Sequence, residues 1–216
     1  MDADNQQNYW NRVAEEKTFS HPVDIPLLEK YLSHTSSIID YGCGYGRIVK
    51  TLMEANFSNV TGYDTSMNLI SRGNKNNLPI HIIPSPADLP LENKTIDCIL
   101  LFAVLTCIPS NKGQQELITL LRSKLKPGGL LYISDYYLQD NEVSRSRYTA
   151  YNSDPTNFGV FHLPEGALFR HHTKEWVAGL LGDFHIIQEQ PVAVKTMNGN
   201  NAEAFQLIAS KPIQKA

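Results

Sequence analysis

Cysteine is scarce. Cys43, Cys98 and Cys107 are too few and too scattered across 216 residues to frame a disulfide scaffold, and no C-x-x-C or His/Cys spacing suggests zinc. Reduced thiols and no metal are the expectation. No apolar run approaches the length needed to cross a bilayer, and the opening MDADNQQNYW is polar and acidic where a secretory leader is basic and then apolar. A cytoplasmic chain without membrane contact is expected. Positive charge is not in excess either: 19 Lys and Arg stand against 22 Asp and Glu, a formal charge of -3. Binding to nucleic acid draws heavily on Lys and Arg, so no nucleic-acid partner is expected and a small-molecule substrate fits better. Repeats and low-complexity tracts are also missing.

The length and a hydrophobic content of 42% suffice for one full core, so residues 1–216 read as a single domain. Apolar runs at 37–39, 59–63, 80–83, 96–102 and 130–134 alternate with helical patterns at 48–54, 65–75 and 112–124. That alternation predicts an α/β architecture, an open doubly wound parallel sheet that binds ligands at the carboxyl ends of its strands. Two helices, 5–17 and 24–33, precede the first strand with Phe19-Ser20-His21-Pro22 between them, and the segment 1–35 reads as an N-terminal helical lid. Strand-like runs at 184–195 and 204–210, joined by Met197-Asn198-Gly199-Asn200-Asn201, predict a terminal hairpin and so a reversed strand. The stretch 136–173 is long for a connection and reads as a substrate-side insertion after the fifth strand. It holds a small hairpin about Pro164-Glu165-Gly166, then a helix at 174–181 capped by Thr173.

The richest signal lies at 38–47, IIDYGCGYGR, where Asp40 stands two places before a Gly-x-Gly-x-Gly turn that joins a strand to a helix. Glycines in such a turn let the backbone lie directly against a ligand. A dinucleotide fold would place its third glycine where this chain has Arg47, and a carboxylate at Asp40 would repel a pyrophosphate but suits a cationic amino group or a sulfonium. A plain tight turn is the bland alternative.

With these pieces in order, the chain resembles the class I S-adenosylmethionine (SAM)-dependent methyltransferases of the small-molecule type, from about Tyr9 to its end. The resemblance implies a Rossmann-like methyltransferase fold, a mostly parallel seven-stranded sheet with a reversed last strand. It implies SAM as cofactor and S-adenosylhomocysteine (SAH) as product. Asp40, Gly42, Cys43 and Gly44 match the first motif. Asp64, at the end of the second strand, would accept from both ribose hydroxyls, with Thr65 and Met67 beside it. Ala87, Asp88 and Leu89 are similar to the element that holds adenine, and Phe102 falls at the methionine end. Lys126-Pro127-Gly128-Gly129 resembles the turn before the fifth strand. Tyr9 is expected to close over the cofactor, with packing on the sheet as the equal alternative.

Methyl transfer needs alignment more than strong acid-base help. Where the nucleophile carries a proton, a histidine is the natural acceptor, and His162, His171 and His172 cluster in the insertion. Since side chains alternate along a strand, one of His171 and His172 should point inward; the bland reading is hydrogen-bonded loop histidines. The expected reaction is methylation of an O, N or S atom of a small acceptor. A protein or tRNA methyltransferase, or a non-catalytic SAM-binding protein, remain as alternatives, because such motifs report the cofactor rather than the reaction. The sequence leaves the oligomeric state unassigned.

Overall fold

Strand β1 (Ile38–Tyr41) is buried along its whole length, the pattern of a parallel strand covered by helices on both faces. In the computed structural model, which describes residues 6–151 and 157–213, it lies near the centre of a seven-stranded sheet. Its companions are β2 (Val60–Asp64), β3 (Ile80–Ile82), β4 (Ile96–Phe102) and β5 (Leu125–Asp135). A separate hairpin, β6 (Val160–His162) and β7 (Leu168–Arg170), precedes β8 (His185–Lys195) and β9 (Asn201–Ser210). The sheet order is β3-β2-β1-β4-β5-β9-β8. Strands β1 to β5 run parallel, while β9 is antiparallel to both β5 and β8, so the expected reversed last strand slots between them.

Alternation along the central strands feeds two cores. Ile39, Ile99, Leu101, Leu131 and Ile133 enter one, and Ile38, Cys98, Leu100, Leu130 and Tyr132 the other. The helices are α1 (Gln7–Val13), α2 (Ile25–Glu29), α3 (Arg47–Glu54), α4 (Met67–Asn74), α5 (Asn111–Lys124), α6 (Glu142–Tyr151) and α7 (Lys174–Leu180). Asp24, Ser66, Ser110 and Thr173 cap α2, α4, α5 and α7 through side-chain oxygens that accept backbone N–H groups.

Several boundaries differ from the sequence reading. Helix α1 ends at Val13, and past it the Arg72 guanidinium donates to the carbonyls of Ala14 and Lys17. Helix α2 stops at Glu29, before the hydroxyl-bonded turn of Ser33 and Ser36. Strand β5 begins at Leu125 and carries the Lys126–Gly129 turn within it, with a register irregularity against β4. Helix α6 occupies part of the insertion where no element was expected. The insertion is pinned at both ends by one bridge: Leu138 N donates to His172 O (2.9 Å) and His172 N to Tyr136 O (3.0 Å).

Candidate functional site

The sheet order reverses between β1 and β4, and a cavity of about 760 Å³ opens at the carboxyl ends of these strands. Its inner half is built by the glycine loop. Gly44 has φ +55° and a Cβ there would lie 2.6 Å from the Phe19 ring; at Gly42, φ +74°, it would lie 2.5 Å from Val104 Cγ2. Positive φ and these close side chains leave room only for glycine at both positions. Asp64, at the tip of β2, accepts from Gly44 N (2.8 Å) through one oxygen and from Ser66 N (2.7 Å) through the other. Burial raises its pKa and these N–H groups oppose the rise. The Thr65 N–H opposes it too, so of the carboxylate's about four acceptor sites about one stays open for a ribose hydroxyl.

At the other side of the loop, three buried polar atoms have no protein partner: Asp40 Oδ2, Arg47 Nε and His21 Nε2. All three residues line the cavity. Burial pushes the Asp40 carboxyl up to about 7, while the Arg47 guanidinium pulls it down and Asp64 adds to the rise. His21 comes from the segment between α1 and α2, and the Arg47 guanidinium donates to its carbonyl. Its Nδ1 lies 2.8 Å from Ser134 Oγ. Among the described residues the fully buried Ser134 hydroxyl has this one partner for its proton, which assigns Nδ1 as acceptor and leaves the hydrogen on Nε2. Burial, then Arg47, lowers the His21 pKa to about 4, which keeps the ring neutral. One free acceptor and two free donors at one end of a cavity are the complement of an ammonium and a carboxylate.

The outer half is walled by Trp10, Tyr136, Phe161, Phe169 and His171, with Gln139, Asn141, Ser144 and Arg147 from and beside α6, and residues 195–202 from the β8–β9 turn. His171 stacks on Tyr136 at 5.1 Å, and its Nδ1 lies 2.6 Å from the Tyr148 hydroxyl. That hydroxyl accepts from Gln139 N (3.1 Å) and also meets the Ser144 side chain; in the tautomer where its proton goes to Nδ1, His171 presents Nε2–H. Burial, then the Arg147 charge, lowers its pKa to about 3.

Of the residues singled out from sequence, Asp40, Gly42, Cys43, Gly44, Asp64, Thr65, Phe102 and His171 share this one cavity. The others do not line it. Tyr9 points into a small aromatic core against Trp10 and Phe169, because neighbours on a helix turn by about 100° and only Trp10 faces the cavity. Met67 is exposed at the start of α4, where Leu69 takes the wall position. Ala87 and Asp88 sit in an exposed turn, Asp88 accepting from Ser85 Oγ (2.7 Å), and Leu89 points into the core; Ile83 and Pro86 line the cavity instead. His162 is exposed on β6 beside Tyr151. His172 is fully buried and saturated: Gln114 Nε2 donates to its Nε2 (2.9 Å) and its Nδ1 faces Tyr136 O (3.1 Å). Trp176 fixes that amide by donating to Gln114 Oε1 (2.6 Å), so His172 offers no lone pair to a substrate.

The sequence reading passed over His21, Trp10 and Arg47 as site residues. Arg47 was legible as the cation following Gly46 in the loop itself. His21 was not, since its role depends on Ser134, which is distant along the chain.

Residues 16–173 match the model of a family described as a methyltransferase domain. A SAM-dependent methyltransferase from Methanosarcina mazei is 25% identical, with 89% of this chain and all of that chain covered and a TM-score of 0.78. A 1,6-didemethyltoxoflavin N1-methyltransferase from Burkholderia thailandensis, solved with 1,6-didemethyltoxoflavin and SAH, shares the fold at 16% identity, covering 96% of this chain and 80% of that one with a TM-score of 0.62. A carboxy-S-adenosyl-L-methionine synthase from Colwellia psychrerythraea is 28% identical over 127 residues, 54% of this chain. The chain spans about half the length of that curated relative.

Proposed function

The chain belongs to the SAM-dependent methyltransferase-domain family, with SAM as cofactor, and on that premise we propose that it methylates an O, N or S atom of a small molecule bound in the outer half of the cavity. The observation that carries this reading is the continuity of the cavity. A cofactor cradle and a second, aromatic-walled compartment share one space, where a binding protein without catalysis would need only the first.

The residues present fit the cofactor. Asp40 would take the ammonium of its methionyl end, Arg47 and His21 the carboxylate, and Asp64 a ribose hydroxyl, with Ile83 and Pro86 against the base. When bound, SAM supplies a methyl group already activated on a sulfonium: a lone pair of the acceptor bonds the carbon as the carbon–sulfur bond breaks, leaving a thioether and releasing the acceptor's proton. The chain's own task is to align and dry the acceptor. Trp10, Phe161 and Phe169 supply apolar walls for a planar or apolar body. In the tautomers that accept from Ser134 and Tyr148, His21 and His171 present N–H groups, which orient oxygen atoms, and the released proton goes to solvent. In this reading residues 1–216 act as one catalytic unit, with 1–35 over the cofactor and 136–173 shaping the acceptor side. The absence of a helix long and apolar enough to cross a membrane, among the described residues, is compatible with a diffusible substrate.

The test is transfer of label from [methyl-³H]SAM to pooled small acceptors by the purified protein, with Asp64→Ala as control. Label appearing in a small product and lost in the variant supports the reading; SAH binding without transfer to any pool refutes it.

A further inference from the structure

Of the chain's 19 Lys and Arg, seven are paired with a carboxylate among the described residues, and two exposed ones that are not stand at the acceptor compartment. Lys17, Lys50, Lys75, Lys112, Arg122, Lys126 and Arg145 each lie within 4 Å of a carboxylate. Arg147, only two residues beyond Arg145 on α6, and Lys195, at the end of β8, have no such partner among the described residues, and both line the cavity. The carboxylates that line the cavity, Asp40 and Asp64, belong to its inner half. Among the described residues the lining of the outer half therefore carries net positive charge, in a chain whose formal charge is -3. The Arg147 charge reaches the half-buried His171 ring, whose Nε2 carries a hydrogen when the Tyr148 hydroxyl donates to Nδ1. The other polar groups of this compartment, among them Gln139, Asn141 and Ser144, are neutral amides and hydroxyls, so its formal charge comes from Arg147 and Lys195, and cavities concentrate such fields.

We infer that the methyl acceptor is an anion, a small molecule carrying a carboxylate, phosphate or sulfate that Arg147 and Lys195 hold, with His171 Nε2–H as its directional donor. The inference rests on the proposed methyl transfer. A guanidinium pairs two oxygens of such a group at once, so Arg147 sets its orientation, and Lys195 adds charge on the opposing turn. The apolar walls then receive the rest of the molecule.

The experiment is a labelling assay with [methyl-³H]SAM against hydroxy and amino compounds pooled by charge: carboxylates, phosphates, sulfates, neutrals and cations. Label confined to one anionic pool supports the inference and tells which anion is recognised. In that pool, Arg147→Gln should lower kcat/KM about tenfold or more, Arg147→Lys less, with SAH affinity unchanged in both, and KM should rise with ionic strength. Label in the neutral or cationic pools overturns the anionic acceptor while leaving methyl transfer standing. Label in no pool overturns both.

Discussion

With Asp40 on the ammonium, as proposed, cofactor binding is expected to be a proton-coupled event. Its buried carboxyl is held up at about 7 and one of its oxygens has no protein partner, so the free protein at neutral pH holds it protonated about half the time. A cationic ammonium beside that oxygen favours the ionised form. Binding then releases about 0.9 proton at about pH 6, about 0.5 at about pH 7 and about 0.1 at about pH 8. Affinity follows the same fraction: moving from about pH 8 to about pH 6 should weaken SAH binding roughly tenfold, about 1.4 kcal/mol. The sign is fixed, since a group whose pKa is raised in the free protein and lowered by the ligand makes binding tighter as pH rises through the raised value. Titration calorimetry of SAH in buffers of different ionisation enthalpy measures the proton count directly. Asp40→Asn, which cannot ionise, should lose the pH dependence and bind at least about tenfold more weakly at about pH 8. A flat affinity between about pH 6 and about pH 8 with no proton released would refute the assignment of Asp40 to the ammonium.

Other outcomes follow from the same geometry. Gly44→Ala should weaken SAH binding about tenfold or more in a protein that still folds, because the added methyl would meet the Phe19 ring; equal affinity by calorimetry would show that the loop yields freely. Asp64→Ala removes the acceptor for two backbone N–H groups as well as any ribose contact, so SAH affinity should fall by about two orders of magnitude, beyond the loss in Asp40→Asn. His172 is buried neutral with a pKa lowered to about 3 by burial, then Arg170, so its contribution is present above the usual histidine range and lost as pH falls from there towards about 3. At about pH 5 that loss is about 2 kcal/mol, and chemical denaturation of His172→Asn should show a pH 7 to pH 5 stability drop smaller than wild type by about that amount. Leu100→Ala, in the fully buried centre of β4, should cost about 2–5 kcal/mol by the same method without moving SAH affinity measured on the folded fraction.

The parts of this molecule that declare themselves in sequence are those set by local rules. Continuous apolar runs such as 96–102 marked the buried parallel strands, the glycine loop marked the turn after β1, and Thr173 marked the start of α7. Helix α6 gave no such signal: of its ten residues only Tyr148 is buried, so no apolar stripe of helical period exists to be read. Side-chain direction was the other blind spot. Tyr9 and Trp10 are adjacent, and which one faces the cavity is decided by how α1 is fastened, with Gln6 bonded to Leu168 and Cys107 and Gln7 to Thr65. His171 and His172 are likewise adjacent, but β7 ends at Arg170, so strand alternation does not part them; the distant Gln114 and Trp176 hold His172 in the core.

The bridge between Tyr137 and His172 has an evolutionary reading. Because the insertion leaves and rejoins the body at one paired point, the chain between can lengthen, shorten or change composition without moving the sheet or the glycine loop. The wall proposed to face the acceptor is in effect an exchangeable cassette, anchored through Gln114 and Asn111 on α5 and carrying its own helix and hairpin. A lineage built this way can retain one methyl donor while trading one acceptor for another, and a transplant of residues 138–171 between relatives is the unit in which such trades would be made.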